Sequence, residues 1–228
     1  MWDPVGEYYS WVNVDKKQYI QPVDFDQGSK LFESSSVSNP LFGALNSLLD
    51  NEWKGNHIAF IGDYAVVPEN PNNETLKILV SGMQSTNVDR DIDGYITDAF
   101  QNVSGLFKAS EPDVRPEIEW MVEHDDFECN YYHVDRADPF KGLFGRDLAF
   151  FRYVINRSRK EFFDTRKTRE WFVDSNPLII LLSYGRDASW YRYSGLWLGD
   201  IIEVSDIKPS EEYRNIGMDY NWVEEKEE

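Results

Sequence analysis

The chain has 228 residues, of which 41 are acidic and 23 are basic, so its formal net charge at pH 7 is −18. With 41% hydrophobic residues, including 8 Trp, 13 Tyr and 14 Phe, it has enough apolar surface for a folded core, which excludes global disorder. The excess of carboxylates argues against nonspecific binding to nucleic acid or anionic membranes, because both depend on Lys and Arg. It favours a basic partner or serves solubility alone, and solubility is the commoner reason for such a charge.

The start of the chain predicts a β-hairpin followed by a helix. Residues 8–14 and 18–25 are rich in Tyr, Trp and Val and flank a polar turn, which predicts two paired strands. Asn39 is a suitable N-cap and Pro40 suits the first helical position. Leucines at helical spacing then predict a helix that ends near Asp50.

The next segments predict two strands, a further strand and a helix. Residues 58–61 and 64–67 flank a Gly-Asp turn, so they are expected to form a strand pair. Apolar residues alternate with other residues over 76–80, which predicts a strand. Over 96–107 the apolar residues recur every three or four positions, and this spacing predicts a helix.

The second half predicts another hairpin, one long helix and a central strand. Apolar residues alternate with acidic ones over 118–122, and a second strand is expected at 127–134. One apolar stripe predicts a long helix near 141–163. Its members are Phe144, Leu148, Phe151, Ile155 and Phe162. The apolar run 178–182 after Pro177 predicts a buried central strand.

Residues 190–193 and 196–204 are expected to close the chain as strands. Because strands occur in runs and the helices are segregated, the predicted fold class is α+β with a mostly antiparallel sheet. We expect a single domain over 1–222, with any seam near 109–116, and an acidic frayed tail at 223–228.

A short motif occurs twice in the sequence. Residues 53–58 (WKGNHI) and 197–202 (WLGDII) share the pattern W-x-G-[ND]-x-I. Both stretches fit the entry to a strand through a glycine turn. Because the flanking residues do not match, recurrent turn chemistry is favoured over an ancient duplication.

Two stretches carry a resemblance to known sequences. YSWVNVDKKQY at 9–19 and WKGNHIAFIGDY at 53–64 resemble a group of uncharacterised bacterial proteins with a V-N-x-x-K-K-x-Y opening and a W-x-G-[DN]-x-I…G-D-Y segment. These motifs consist of aromatic and turn residues. The resemblance therefore implies a bacterial cytoplasmic protein and no particular activity.

The expected compartment is the cytoplasm. No apolar stretch approaches the ~20 residues that a membrane span needs. The start, MWDPVGEYYS, lacks the basic and apolar regions of a secretory signal. The single cysteine, Cys129, cannot form an internal disulfide, which fits a reducing environment. We expect its thiol to be reduced and largely buried.

An acidic loop is the best candidate for a ligand site. Asp89, Asp91 and Asp93 stand in a D-x-D-x-D-G pattern that resembles the start of an EF-hand calcium loop. The twelfth position, where a bidentate Glu is expected, is Phe100. Alternatively, the acidic residues stabilise the N-terminal end of the following helix, with Asp93 or Thr97 as its cap. We expect this second role.

A second group of ligand types lies within ten residues, at His124, Asp125, Asp126, Cys129 and His133. The two histidines are nine positions apart, which places them on opposite faces of a straight strand or helix and disfavours zinc. Cys129 and His133 share one strand face, so a Cys-His nucleophile pair is an alternative to a small buried cysteine beside a hydrogen-bonded histidine.

The distribution of basic residues is uneven. Residues 140–173 contain nine basic and four acidic side chains, a local net charge of +5 in an acidic chain. Such a segment either pairs with acidic neighbours of the same fold or provides a polar contact surface. His57, near Asp63 in the sequence, is a further acid/base candidate.

The function expected from these features is binding rather than catalysis. Common nucleotide-binding, serine-hydrolase and zinc-protease motifs are absent from the sequence. We expect an acidic, non-enzymatic protein that binds a basic protein partner, in the manner of an inhibitor or an immunity protein. The alternative is a carboxylate-based or metal-assisted hydrolase whose catalytic residues the sequence does not locate.

Overall fold

The structure is a computed structural model of the chain. It describes residues 6–36, 39–86, 91–107, 119–124, 146–168, 176–219, 221–222 and 224–226. These residues form two β-sheets with associated helices, and most strand pairs are antiparallel. The predicted α+β class with mostly antiparallel pairing is therefore confirmed.

The first sheet is built on the N-terminal hairpin. β1 (Tyr9–Asn13) pairs antiparallel with β2 (Gln18–Ile20) and, on its other side, with β3 (Ile58–Gly62). Two short strands, β4 (Gln101–Asn102) and β7 (Ser183–Tyr184), join the edges in parallel orientation, which gives the order β4-β2-β1-β3-β7. The predicted strand at 58–61 and the predicted hairpin are confirmed, except that the second hairpin strand, expected over 18–25, ends at Ile20 and is followed by a 3-10 turn at Pro22–Phe25.

The second sheet is built on another hairpin. β5 (Tyr153–Asn156) pairs antiparallel with β6 (Glu161–Asp164) and with β8 (Ile202–Ser205). β9 (Arg214–Asn215) lies parallel to β6, so the order is β8-β5-β6-β9.

The prediction of one long helix near 141–163 is wrong, because this hairpin occupies its C-terminal part. Lys160 adopts a left-handed φ of 54° in the turn between the strands, a conformation that a helix does not accommodate. The side chains of Val154 and Phe163 then face the core through strand alternation.

Besides a helical segment at 119–124, the described part of the chain contains four helices next to the sheets. They are α1 (Pro40–Asp50), α2 (Glu74–Ser85), α3 (Ile92–Ala99) and the short α4 (Leu178–Leu181). Single 3-10 turns occur at Pro22–Phe25, Ser104–Phe107 and Ala188–Trp190, and residues 119–124 are helical. α1 begins as predicted, because the Phe42 N–H donates to the Asn39 side chain at 2.8 Å.

The strands predicted at 76–80 and 178–182 are helices instead. Residues 76–80 belong to α2. Its buried residues Leu76, Leu79, Val80 and Met83 follow the helical period, although the apolar residues at 76, 78 and 80 also alternate as in a strand. Residues 178–182 form α4 and its last turn. Every side chain of this apolar run is buried, and a fully buried run carries no period that separates strand from helix.

Other predicted elements differ in extent. The helix expected over 96–107 ends at Ala99, because Phe100 has extended backbone and leads into β4. Residues 119–122 are helical rather than a strand. Residues 64–67 are a turn followed by irregular backbone, and 190–193 contain the end of a 3-10 turn, one isolated bridge residue and a turn, so neither segment is a strand. Of the strand expected at 196–204, only the end forms, as β8. The strand expected at 127–134 lies outside the described residues.

The two sheets repeat one topology. Apart from β7, each consists of a hairpin, an antiparallel strand beside the first hairpin strand and a parallel strand beside the second. The registers also correspond. Asn13 of β1 lies opposite Ile58 of β3, and Asn156 of β5 lies opposite Ile202 of β8.

Side-chain contacts repeat as well. The indole N–H of Trp53 donates to the Gln18 side chain at 2.9 Å, and the indole N–H of Trp197 donates to the Glu161 carboxylate at 2.9 Å. Both indoles are fully buried and both acceptors begin the second strand of a hairpin. Each hydrogen bond satisfies the polar end of a large apolar side chain in the core.

Turn conformations repeat in the same positions. Lys17 and Lys160 precede the second hairpin strands with φ of 52° and 54°, and Gly55 and Gly199 lie in the W-x-G motifs with φ of 75° and 91°. Together with the strand order and register, this agreement extends far beyond one turn. The preference for recurrent turn chemistry is therefore wrong, and the W-x-G-[ND]-x-I motifs belong to an internal structural repeat.

The two copies of the repeat share one core. His57 and Ile201, at equivalent motif positions, form an isolated antiparallel bridge between the copies. α1 of the first copy packs on β8 of the second sheet, and β7 of the second copy extends the first sheet. One hydrophobic cluster accordingly contains Trp11 from the first sheet together with Phe163 from the second.

The end of the chain is partly paired. Glu225 bridges to Tyr191, and the backbone of Lys226 donates to the Trp190 carbonyl at 2.8 Å. Residues 224–226 of the tail that we expected to fray therefore have backbone partners. Among the helices that the structure describes, none has the length and apolar composition to cross a membrane.

Candidate functional site

The acidic loop identified in the sequence leads into α3. The Asp91 carboxylate accepts the Gly94 N–H at 2.8 Å and so caps the helix. Thr97 instead donates its hydroxyl to the Asp93 carbonyl at 3.0 Å. A capping role is confirmed for this loop, but the cap is Asp91 and not Asp93 or Thr97.

The calcium hypothesis depends partly on a residue outside the described part of the chain, Asp89. Within the described residues, no group of three or more His, Cys, Asp or Glu side chains is arranged to hold a metal ion. One oxygen of Asp91 is directed at the helix backbone. Coordination of calcium by Asp89, Asp91 and Asp93 remains a prediction.

A third carboxylate joins the loop from another element. Asp63 follows β3 and accepts the Tyr8 N–H at 3.0 Å. Burial raises the pKa of the Asp93 carboxyl, and the nearby carboxylates of Asp63 and Asp91 raise it further. Among the described residues, none of these three carboxylates takes part in an ion pair, so their mutual repulsion is not compensated within that part of the chain.

Exposed aromatic and apolar side chains flank these carboxylates. Tyr8 is 47% exposed, Tyr64 43% and Val66 75%. The Arg186 guanidinium stacks 4.5 Å from the centre of the Tyr64 ring, and the Tyr184 hydroxyl donates to the Val66 carbonyl at 2.8 Å. We call the combined region the acidic–aromatic surface. It consists of Tyr8, Asp63, Tyr64, Val66, Asp91 and Asp93.

Behind this surface, a buried carboxylate holds the loop that carries Arg186. Glu7 is fully buried and accepts the Tyr9 hydroxyl at 2.5 Å and the N–H groups of Arg186 and Asp187 at 3.0 and 2.7 Å. The Tyr9 hydroxyl accepts the Ala188 N–H at 2.9 Å, and burial together with Glu7 raises the pKa of Tyr9. The network joins β1 to the loop that carries Arg186.

Gly62 is required by the same network. A Cβ atom at this position would lie 2.2 Å from the Glu7 carboxylate. Any other residue at the end of β3 would therefore displace Glu7 and its three hydrogen bonds. This contact explains the glycine of the G-D-Y segment that the resemblance includes.

The other sequence candidates are engaged elsewhere or lie beyond the described residues. Both the backbone N–H and the ring Nδ1 of His57 contact one Asp15 oxygen, at 2.6 and 3.0 Å. His57 and Asp63 flank β3 at opposite ends, six residues and roughly 20 Å apart at ~3.3 Å per residue, so they do not form an acid/base pair.

His124 is held by its own helical segment. Its Nδ1 lies 2.8 Å from the Trp120 carbonyl, and its ring stacks on the Trp120 indole at 4.4 Å. The remaining members of the predicted cluster, Asp125, Asp126, Cys129 and His133, lie outside the described residues. A zinc site, a Cys-His pair and a buried Cys129 thiol therefore remain predictions.

The basic segment pairs with acidic neighbours of the same fold. Five of its cations form ion pairs, which are Arg146–Glu52, Arg152–Asp164, Arg157–Glu203, Arg159–Asp200 and Lys160–Glu212. Burial raises the pKa of the Asp164 carboxyl, but hydrogen bonds from Arg152 and the Arg166 N–H lower it more, and the net shift is downward. The expectation of internal pairing is confirmed for these residues.

No protein-family model, curated protein or solved structure matches this chain. The function must therefore be argued from geometry. Sequence reasoning identified Asp91 and Asp93 but missed Asp63, Tyr8 and Tyr64 as parts of the same surface. The G-D-Y segment was the available signal, but it does not reveal which strand lies beside β3.

Proposed function

We propose that this protein is non-enzymatic and binds a basic protein partner through the acidic–aromatic surface, in the manner of an inhibitor or an immunity protein. The observation that carries the proposal is the crowding of Asp63, Asp91 and Asp93. Within the described residues they form no ion pair, and the pKa of Asp93 is raised by burial and further by the other two carboxylates. Lys or Arg side chains of a partner relieve such repulsion.

Contrast with the rest of the chain supports this location. Elsewhere five cations of the 140–173 segment are paired with acidic side chains of the same fold, as Arg152 is with Asp164. The acidic–aromatic surface instead presents its carboxylates together with exposed rings. Complementary charge accelerates association and selects the partner, whereas aromatic residues supply most of the contact energy in many interfaces.

Tyr8 and Tyr64 are suitable anchors. Each is about half exposed; the Tyr64 ring stacks against Arg186, whereas Tyr8 contacts Asp63 through its backbone N–H. A side chain that is already ordered loses less conformational entropy on binding. We place this activity in the cytoplasm, where a single unpaired cysteine remains reduced.

The test is affinity capture with a charge-neutral variant. The triple variant Asp63→Asn, Asp91→Asn and Asp93→Asn retains the Asp91 cap and the Tyr8 contact, because Asn also accepts these hydrogen bonds. A matched control removes the same charge at exposed positions elsewhere, with Glu69→Gln, Glu123→Gln and Glu211→Gln. Native-cell lysate is passed over the three immobilised proteins, and retained proteins are identified by mass spectrometry.

The expected result is a basic protein that the unmodified protein and the control retain and the triple Asn variant does not. Retention should fall steeply between 50 and 500 mM NaCl, about the range over which salt screens exposed charges. Equal retention by the triple Asn variant would place the interface elsewhere and refute the proposal. Purified partner then gives dissociation constants, and Tyr64→Ala should weaken binding by about 1–2 kcal/mol or more.

A further inference from the structure

A cavity of about 370 Å³ lies where the N-terminal end of α2 meets the second copy of the repeat. Asn72, Asn73 and Leu76 line it from α2, and β7 and residues 194–198 form other parts of its wall. The start of α2 and the second copy approach closely at Gly199, because a Cβ atom there would lie 2.7 Å from the Asn73 side chain. Its volume suits a small molecule.

The charge of the cavity is opposite to that of the chain. Among its described lining residues, the charged ones are both basic, Arg159 and Lys226. Asp200 accepts the Arg159 Nε–H at 2.6 Å and is itself held by the Asn156 side chain at 2.9 Å. The terminal amino groups of Arg159 and the ammonium group of Lys226 bond to no other described side chain, so they remain available to an anion.

The Arg159–Asp200 ion pair occurs only in the second copy of the repeat. In the first copy the equivalent of Asn156 is Asn13, whose side chain bonds to Asn56 at 3.1 Å, and the equivalent of Arg159 is Lys16. The hydrogen bonds of Asn13 and Asn156 thus have the same pattern in both copies, and we call this pattern the Asn frame. Only in the second copy, where the Asn frame borders the cavity, is a guanidinium held beside it, by Asp200. This difference distinguishes Arg159 from a residue that the fold itself requires.

The wall also presents hydroxyl and amide groups. Ser183 is 1% exposed and donates to the Ile180 carbonyl at 3.0 Å, so the Ser194 hydroxyl, 3.0 Å away, is left to donate to Ser183. Lone pairs of the Ser194 oxygen remain available to accept a ligand hydroxyl. On the other side, the Asn73 side-chain amide donates to the Asn72 side-chain oxygen at 3.0 Å, which leaves the Asn72 side-chain NH₂ group as a donor.

We propose that this cavity binds a small hydroxylated anion of the sugar-phosphate class. Arg159 and Lys226 hold the phosphate group, and the positive end of the α2 dipole contributes to the same potential. Ser194 and Asn72 bond the hydroxyl groups of the sugar. A volume of about 370 Å³ accommodates a monosaccharide phosphate.

Isothermal titration with ribose 5-phosphate, ribose and inorganic phosphate tests the proposal on the full chain. Ribose 5-phosphate should bind and raise the melting temperature, because a ligand of the native state stabilises it by mass action. Ribose alone should not bind measurably, and inorganic phosphate should bind at least tenfold more weakly than ribose 5-phosphate.

Two substitutions locate the site. Arg159→Gln should weaken ribose 5-phosphate binding at least tenfold, but it also leaves Asp200 unpaired and can affect folding. Lys226→Gln removes a cation that has no ion pair among the described residues and should weaken binding about threefold to tenfold at unchanged stability. Lys208→Gln, an exposed change of equal charge outside the cavity, is the control.

The absence of binding at 10 mM ribose 5-phosphate would overturn the proposal, as would equal affinity in the Lys226→Gln and control variants. Phosphate binding as tight as that of ribose 5-phosphate would refute the sugar component. None of these results depends on the basic protein partner, because capture through the acidic–aromatic surface is a separate measurement.

Discussion

Replacement of Glu7 by Gln should destabilise the protein by about 2–4 kcal/mol. The buried carboxylate accepts three hydrogen bonds, from the Tyr9 hydroxyl and from two backbone N–H groups. Gln retains its shape but offers one acceptor oxygen, so its NH₂ group must face a donor. Hydrogen bonds to charged groups contribute roughly 1.5–3 kcal/mol each and neutral ones about half as much, so one bond is lost and two are weakened.

Urea denaturation followed by tryptophan fluorescence measures this change, and the 8 Trp residues provide the signal. In a chain of this size a loss of 1 kcal/mol lowers the melting temperature by roughly 2–4 °C. Glu69→Gln, at an exposed position, is the matched control and should alter stability by less than about 0.5 kcal/mol. A double-mutant cycle with Tyr9→Phe should give a coupling of about 1 kcal/mol or more. If Glu7→Gln behaves like the control, the network does not hold the loop as we infer.

Three further predictions concern the cap, the carboxylate cluster and the repeat. Asp91→Ala should cost about 1 kcal/mol through the lost cap of α3, whereas Asp91→Ser should be nearly neutral; thermal melts of both variants decide this. Asp93→Asn should raise the free energy of unfolding at pH 7, by under about 1 kcal/mol for a partly exposed group, and leave it unchanged near pH 3. The folded state with a raised Asp93 pKa is destabilised when that carboxyl is ionised and is unaffected when it is protonated. Urea melts should therefore show Asp93→Asn more stable than the unmodified protein at pH 7 and equally stable near pH 3. Trp53→Phe and Trp197→Phe should each cost about 1–3 kcal/mol, because each removes the indole hydrogen bond at an equivalent position of the repeat; losses that differ by more than about 2 kcal/mol would argue against equivalent roles.

Local signals in the sequence determined the elements that depend on neighbours along the chain. The Asn39 cap and the leucine spacing of α1 are local, and the helix forms as they predict. The same is true of the first hairpin, whose strand-forming residues flank a turn. Such elements are predictable because capping, turn chemistry and one-sided burial act within a few residues.

Elements that are buried on every side required the tertiary structure. In α4 all side chains of the apolar run are buried, so burial imposes no period. In α2, alternation at 76, 78 and 80 is compatible with a strand, and only the packing of Leu79 and Met83 in the core reveals the helical face. The hairpin of β5 and β6 was concealed in the same way, since its apolar residues also fit a helical stripe.

The candidate surface and the repeat depend on contacts between distant residues. Asp91 and Asp93 were visible as a loop motif, and the two W-x-G motifs were visible as an echo. Asp63 and Tyr8 lie 55 positions apart and meet because β1 pairs with β3 in a particular register. Register between strands is set by which side chains fill the shared core, and that choice is made by the whole chain rather than by any segment of it.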